Sequence, residues 1–290
     1  MFPELIDTRP LRRAVDNGLD WVVANWGSTF EAAAHPLLLM LNGIEALLIA
    51  IPWWVIIAVL TGIAYVATRR PGLPITVFIA LMFLGVMDLW EDAMSTTALM
   101  IAATISAIVV SIPVGVWMSR SRRVRQIVTP ILDLMQTLPS FVYLIPTVMI
   151  FGPGKIPALL ATIVYAAPPL ARLTDLGLRS VDPAVIEASR AFGSNPTQRL
   201  LGVQVPLALP TILAGINQTT MMALAMVVIA SMIGAGGLGY QVLQGIGRLE
   251  VSRGLFAGIG IVALAIIFDR ITQAFGQQLQ GRIGLKEARP

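Results

Sequence analysis

Apolar residues in this chain fall into long blocks separated by short polar turns, with little of the alternation that marks strands. A hydrocarbon core of about 30 Å takes about 20 helical residues at roughly 1.5 Å each. Seven blocks meet or approach that length: residues 46–67, 74–87, 95–118, 127–151, 154–171, 205–233 and 254–268. The block at 46–67 carries no charge, and Pro52 marks a place for it to kink. The one at 74–87 is short and must borrow flanking residues. Asp133 is the single charge in 127–151, Pro168 and Pro169 interrupt the end of 154–171, and 205–233 is over-long and opens on Pro206 and Pro210. The pattern predicts an all-α polytopic membrane protein with about seven transmembrane helices.

Composition removes the soluble alternatives. Of 290 residues 56% are hydrophobic and 12% charged, against about 25% charged in an average soluble domain. A soluble enzyme, a disordered chain and a collagenous chain are all excluded. The absence of Cys removes disulfides, Cys-ligated zinc and iron–sulfur clusters, and the single histidine, His35, cannot build a multi-histidine metal site.

Charge placement orients the spans. Fourteen of the twenty Lys/Arg lie in the loops at 68–73, 119–126 and 172–204 and beyond 269, and six lie elsewhere. The positive-inside rule makes the first side cytoplasmic, so seven spans put the N-terminus out and the C-terminus in. Residues 1–45 do not read as a cleavable signal peptide: Glu4, Asp7, Asp16 and Asp20 are interspersed with arginines, and no apolar stretch follows at once. They read as an extracytoplasmic tail able to form an amphipathic helix. Trp21 and Trp26 suit a membrane interface, and packing of the tail on its own protein explains them equally. The expected organisation is that tail, peripheral transmembrane helices over 46–94, a core over 95–272 and a cytoplasmic tail over 273–290.

The longest cytoplasmic loop, 172–204, carries more local order than a connector needs. Asp182-Pro183 and Asn195-Pro196 each pair an N-cap residue with Pro at the first helical position. Gly193 supplies a left-handed residue to end the first helix, expected over 183–192. Helix, tight turn and helix beneath the membrane suggest docking to something cytoplasmic.

Within that loop, Glu187-Ala188-Ser189, three residues, Gly193, nine residues and Val203-Gln204-Val205-Pro206 resemble the EAA loop of ABC-importer permeases. Glu187, Ala188, Gly193 and Pro206 match in register, while Ser189, Val203 and Val205 are small or aliphatic replacements. The resemblance runs from about residue 90 to 275. The stretches at 136–146, 206–218 and 229–249 resemble the glycine betaine/proline permease branch.

That resemblance implies a core like that of type I (MetI-like) ABC importers. It also implies a homodimer working with two separate ATPase subunits, which carry ATP and Mg, and an extracytoplasmic substrate-binding protein. Glu187, Ala188, Ser189, Gly193 and Pro206 would then transmit motion from the ATPase. The substrate would be glycine betaine or a related quaternary amine or proline, with choline, carnitine or another small solute as the alternative.

Other readings of the residues are weaker. Asn217, Gln218, Thr219 and Thr220 form the polar cluster best placed inside a span; they are candidates to line a path, though helix–helix hydrogen bonding is the commoner use of such residues. Asp133, Asp175 and Asp269 lie near cytoplasmic ends, and Asp88, Glu91 and Asp92 near an outer one. The lack of a midplane carboxylate argues against an ion-driven transporter. The glycines at 234, 236 and 239 satisfy G-x-G-x-x-G without a strand before them. Gly152-Pro153-Gly154-Lys155 lacks P-loop spacing, so ATP hydrolysis is expected on another subunit. Trp53, Trp54, Trp90 and Trp117 suit interfacial anchoring better than a cage for a quaternary ammonium.

Overall fold

The computed structural model describes residues 9–282, which form twelve α-helices and no strand. In order they are α1 (Arg9–Ala50), α2 (Trp53–Thr68), α3 (Gly72–Val86), α4 (Trp90–Arg120), α5 (Arg122–Thr137), α6 (Ser140–Phe151), α7 (Lys155–Arg179), α8 (Pro183–Ala191), α9 (Pro196–Arg199), α10 (Val205–Ala230), α11 (Leu238–Arg248) and α12 (Val251–Arg282). Five stretches are long and apolar enough to cross a bilayer: Asp16–Ala50, Trp90–Arg120, Lys155–Arg179, Pro196–Ala235 and Val251–Gly276. α5 and α6 together add a sixth if their 96° bend is counted within one span.

Prolines redraw three of the expected blocks. The block at 46–67 is two helices, because α1 stops at Ala50 and Pro52 (φ −53°, ψ 135°) leads into α2. Proline has no N–H to give and its ring meets the carbonyl four residues back, so a helix ends there unless packing holds it. α2 and α3, with 16 and 15 residues, reach only about 24 and 22 Å at roughly 1.5 Å per residue. They pack side by side against α12 through Ile57, Val77, Leu81, Leu84, Leu264 and Ile267. The block at 127–151 breaks at Leu138, held extended (ψ 135°) before Pro139 as the steric demand of a following proline favours. Across the bend, the Tyr143 hydroxyl donates to the carbonyl of Met135. Upstream of the block at 205–233, the helical path begins at Pro196 and passes through a π-helical turn, Leu200–Gln204. That wider turn lies just before Pro206, where an α-helical hydrogen bond is lost. The last block is longer than expected and continues to Arg282, into the segment read as a tail.

α4, α7 and α10 form the centre. Their contact surfaces are rich in small side chains: Ala98, Ala102 and Ala103 meet Ala158, Ala161 and Ala166, with Ala223 and Ala230 alongside. In a bilayer, lipid tails compete with apolar side chains, so close backbone approach and interhelical hydrogen bonds supply the adhesion. Ser111 Oγ donates to the Ala167 carbonyl at 2.8 Å, and Thr219 Oγ1 to the Ala166 carbonyl at 2.9 Å. A Cβ on Gly115 would stand 2.6 Å from the Ala171 carbonyl oxygen, and one on Gly215 2.9 Å from Leu170 Cδ1. α4 and α10 therefore press on α7 from two sides.

Polar contacts define two ends. At one, Glu45 accepts from Ser95 Oγ at 2.8 Å and pairs with Lys155 at 2.5 Å. At the same end Gln241 donates to Asp92 at 2.5 Å and accepts from Arg253 at 2.7 Å. At the other, Arg120 reaches the Pro196 carbonyl, so the loops around 121 and 180–199 share a side as their charge predicts. α1 joins the body through Ala34, Leu37, Leu41, Ile44 and Leu48. Among residues 9–33, no described side chain is buried, and Trp21 and Trp26 are exposed.

Candidate functional site

The 180–199 loop folds as its residues direct. Asp182 Oδ1 accepts the Ala184 N–H at 2.8 Å, and Pro183 opens α8. α8 ends in a Schellman motif: the Gly193 N–H donates to the Arg190 carbonyl at 2.9 Å, and the Ser194 N–H to the Ser189 carbonyl at 3.1 Å. Gly193 adopts φ +79°, the left-handed conformation that a Cβ disfavours. The hydroxyls of Ser189 and Ser194 meet at 3.0 Å across the same turn. Serine at the position of the second alanine of the EAA pattern thus adds a side-chain tie to the motif. Asn195 then caps α9 with bonds from Thr197 N–H and Gln198 N–H at 3.0 and 2.8 Å, while the Gln198 side chain accepts the Asn195 N–H at 3.0 Å.

This double capping holds a rigid, outward-facing surface. α8 buries none of its residues, Glu187 and Ala188 are exposed, and Ser189 is half-buried. Phe192, beside Gly193 at the tip, is 92% exposed. An aromatic ring held out by an ordered turn is the kind of group that anchors a protein interface. The sequence reading passed over Phe192; the signal was an aromatic residue directly before the glycine that ends a helix. Pro206, the last of the loop residues singled out, is exposed in the first turn of α10, where the Val205 N–H reaches five residues back to the Leu200 carbonyl.

The polar cluster inside α10 is divided in use. Thr219 is fully buried and bonded to α7. Thr220 bonds back to the Ile216 carbonyl at 2.9 Å, and Asn217 Nδ2 donates to Asp269 Oδ1 of α12 at 3.3 Å. Gln218 alone faces out. The glycine-rich segment lies in the kink between α10 and α11, with Gly234, Gly236 and Gly237 at positive φ. The Leu238 N–H there donates to Thr96 Oγ1 at 2.9 Å. A helix, not a strand, precedes it, so the dinucleotide-binding geometry is not built.

Known proteins with this pattern are transport subunits. The family described as "Binding-protein-dependent transport system inner membrane component" matches residues 107–281. The Escherichia coli (strain K12) glycine betaine/proline betaine transport system permease protein ProW is 47% identical over 273 residues, covering 94% of this chain and 77% of that protein. The Bacillus subtilis (strain 168) glycine betaine transport system permease protein OpuAB is 43% identical over 264 residues, 91% of this chain and 93% of that one. Among solved structures, an inward-facing conformation of the MetNI methionine ABC transporter superposes with a TM-score of 0.61 at 23% identity, covering 66% of this chain and 95% of that one. The two sequence relatives and the family match agree, and the superposition shows the same fold. The chain is a multi-pass membrane protein that belongs to the inner-membrane components of binding-protein-dependent transport systems, the permease subunits of ABC importers.

Proposed function

We propose that this permease imports glycine betaine or a closely related quaternary amine as a homodimer, with its N-terminus outside and its C-terminus in the cytoplasm. A permease of this family is not an enzyme; it works with a separate ATPase and a substrate-binding protein. ATP and Mg bind on the ATPase. The observation that carries the mechanism is the doubly capped loop, which presents Glu187, Ala188 and Phe192 on a fixed turn and runs into α10 along a helical path from Pro196 to the kink at Gly234.

Closure of two ATPase subunits would draw the two loops together, and each would move its α10 against α7. The spans would rock open to the outside, and hydrolysis would reset them. Fourteen of twenty Lys/Arg on the loop side support the orientation. The names of the relatives support the substrate. Of the four polar residues of α10, Gln218 is the one free to meet a solute.

The test is ATP-dependent uptake of labelled glycine betaine, choline, carnitine and proline in cells lacking other osmolyte importers, with and without this subunit. Betaine uptake that requires the subunit is expected. Uptake of an ordinary amino acid or an anion instead would overturn the substrate while leaving the importer.

A further inference from the structure

α7 has one face that α4 and α10 leave uncovered. Gly115 brings α4 onto Ala171 and Thr174, and Gly215 brings α10 onto Leu170 and Leu173, with Thr211 and Ala208 against Gly177. Residues seven apart share a helix face, and the remaining face carries Tyr165 and Arg172. The broken pair α5–α6 flanks it: Tyr143 of α6 sets its ring edge-on to Tyr165 at 6.4 Å, and Asp133 of α5 accepts from Arg172 Nη2 at 2.6 Å.

The Asp133–Arg172 pair is unusual in its setting. The side chains are 55% and 34% exposed, yet large apolar residues around them, Ile131, Leu134 and Leu176, are exposed as well. An ion pair facing lipid is costly, and charges toward the ends of spans normally face water or a water-filled cavity. Arg172 Nε is shielded from solvent and has no hydrogen-bond partner, so Asp133 leaves the guanidinium only partly satisfied through Nη2.

We propose that Asp133 and Arg172 form a zwitterion-binding site on the translocation path, a proposal that rests on the quaternary-amine reading above. The substrate carboxylate takes the terminal nitrogens of the Arg172 guanidinium in the fork geometry that arginine favours. The cationic end takes the carboxylate that Asp133 then frees, on the face of α7 that also carries Tyr165 two turns away, whose ring face attracts such cations. One internal ion pair is exchanged for two with the substrate, so neither protein charge is left alone before or after passage. A solute with only one of the two charges leaves one protein charge without a partner, which makes the site selective for betaines over choline.

The whole importer, with its ATPase and binding protein, is reconstituted in vesicles carrying R172Q, R172K or D133N. R172Q is expected to lose at least tenfold in betaine uptake while keeping ATPase stimulation by the loaded binding protein, and R172K to recover part of the uptake. Because the chain has no Cys, T137C, one turn from Asp133, serves as a reporter. Millimolar betaine should slow its reaction with a maleimide and choline should not, and R172Q should abolish that protection. Wild-type uptake in R172Q and D133N would overturn the site. So would loss of stimulated ATPase or of assembly in both, since the pair would then be structural. If the unmodified importer ignores betaine altogether, the substrate reading fails, a result separate from either.

Discussion

Arg120 Nη2 donates to the backbone carbonyl of Pro196 at 3.4 Å, linking the C-terminal end of α4 to the first residue of α9. The contact joins the loop to a central helix without passing through α10. An exposed charged hydrogen bond of this length contributes up to about 1 kcal/mol. Arg120→Ala should therefore insert normally and lower substrate-stimulated ATPase activity about two- to fivefold. Unchanged stimulation would assign all coupling to the α9–α10 connection.

Gly193 is open around its missing Cβ, so a substitution there is penalised by backbone conformation alone, at about 1 kcal/mol or more. Gly193→Val should leave the spans intact and misdirect α9, giving weak ATPase binding in a pull-down. Glu187→Lys should act on the same interface through charge and leave the turn formed. Normal uptake by both would reduce the loop to a solvated connector.

Phe192→Ala removes the exposed ring without touching the Schellman bonds, which use backbone groups. If the ring is a buried anchor in the assembled importer, about 2 kcal/mol of binding is lost, roughly thirtyfold in affinity for the ATPase subunit. The isolated permease should show the same thermal stability as the parent. A change of affinity below threefold would place Phe192 at the edge of the interface.

Close packing on α7 predicts a contrast between two glycines. Gly115→Val would force a Cβ to 2.6 Å from the Ala171 carbonyl and the Thr174 side chain, an overpacking cost of about 1–3 kcal/mol. Gly62, inside α2, has nothing within 4 Å of its Cβ position, and Gly62→Ala should gain up to about 1 kcal/mol from helix propensity. Thermal unfolding in detergent should move in opposite directions for the two.

Single cysteines report topology without background. Ser28→Cys and Ser252→Cys should react with an impermeant reagent from outside, and Ser121→Cys and Ser194→Cys only after permeabilisation. Ser28 is decisive for α1, because Asp16–Ala50 is long and apolar enough to cross. Labelling of Ser28→Cys only after permeabilisation would put the N-terminus inside and add a span.

Local signals were legible and distant ones were not. Asp182-Pro183, Gly193 and Asn195-Pro196 each act within a few residues, so the loop could be read before the fold was known. Proline inside an apolar block is ambiguous: Pro113, Pro130, Pro146 and Pro210 stay within helices, while Pro52 and Pro139 stand at breaks. What decides is whether surrounding helices hold the two halves in line, and that information is not local. The division of labour among Asn217, Gln218, Thr219 and Thr220 depends on which side of α10 meets α7 and α12. The partners of Asp133 and Glu45 lie 39 and 110 residues away.

The helical path from Pro196 to Ala235, 40 residues, is about 60 Å long at roughly 1.5 Å per residue. It begins within the loop read as the docking element and ends at the glycine kink before α11, so both faces of the membrane are served by a single strut. A push on α9 has no slack segment in which to dissipate before it reaches Gly215 and Thr219 against α7. The softer place before those contacts is the π-helical turn at Leu200–Gln204. Lengthening the chain there by a single residue would rotate everything beyond it by about 100°, leaving a permease that still docks its ATPase but turns the stroke in the wrong direction.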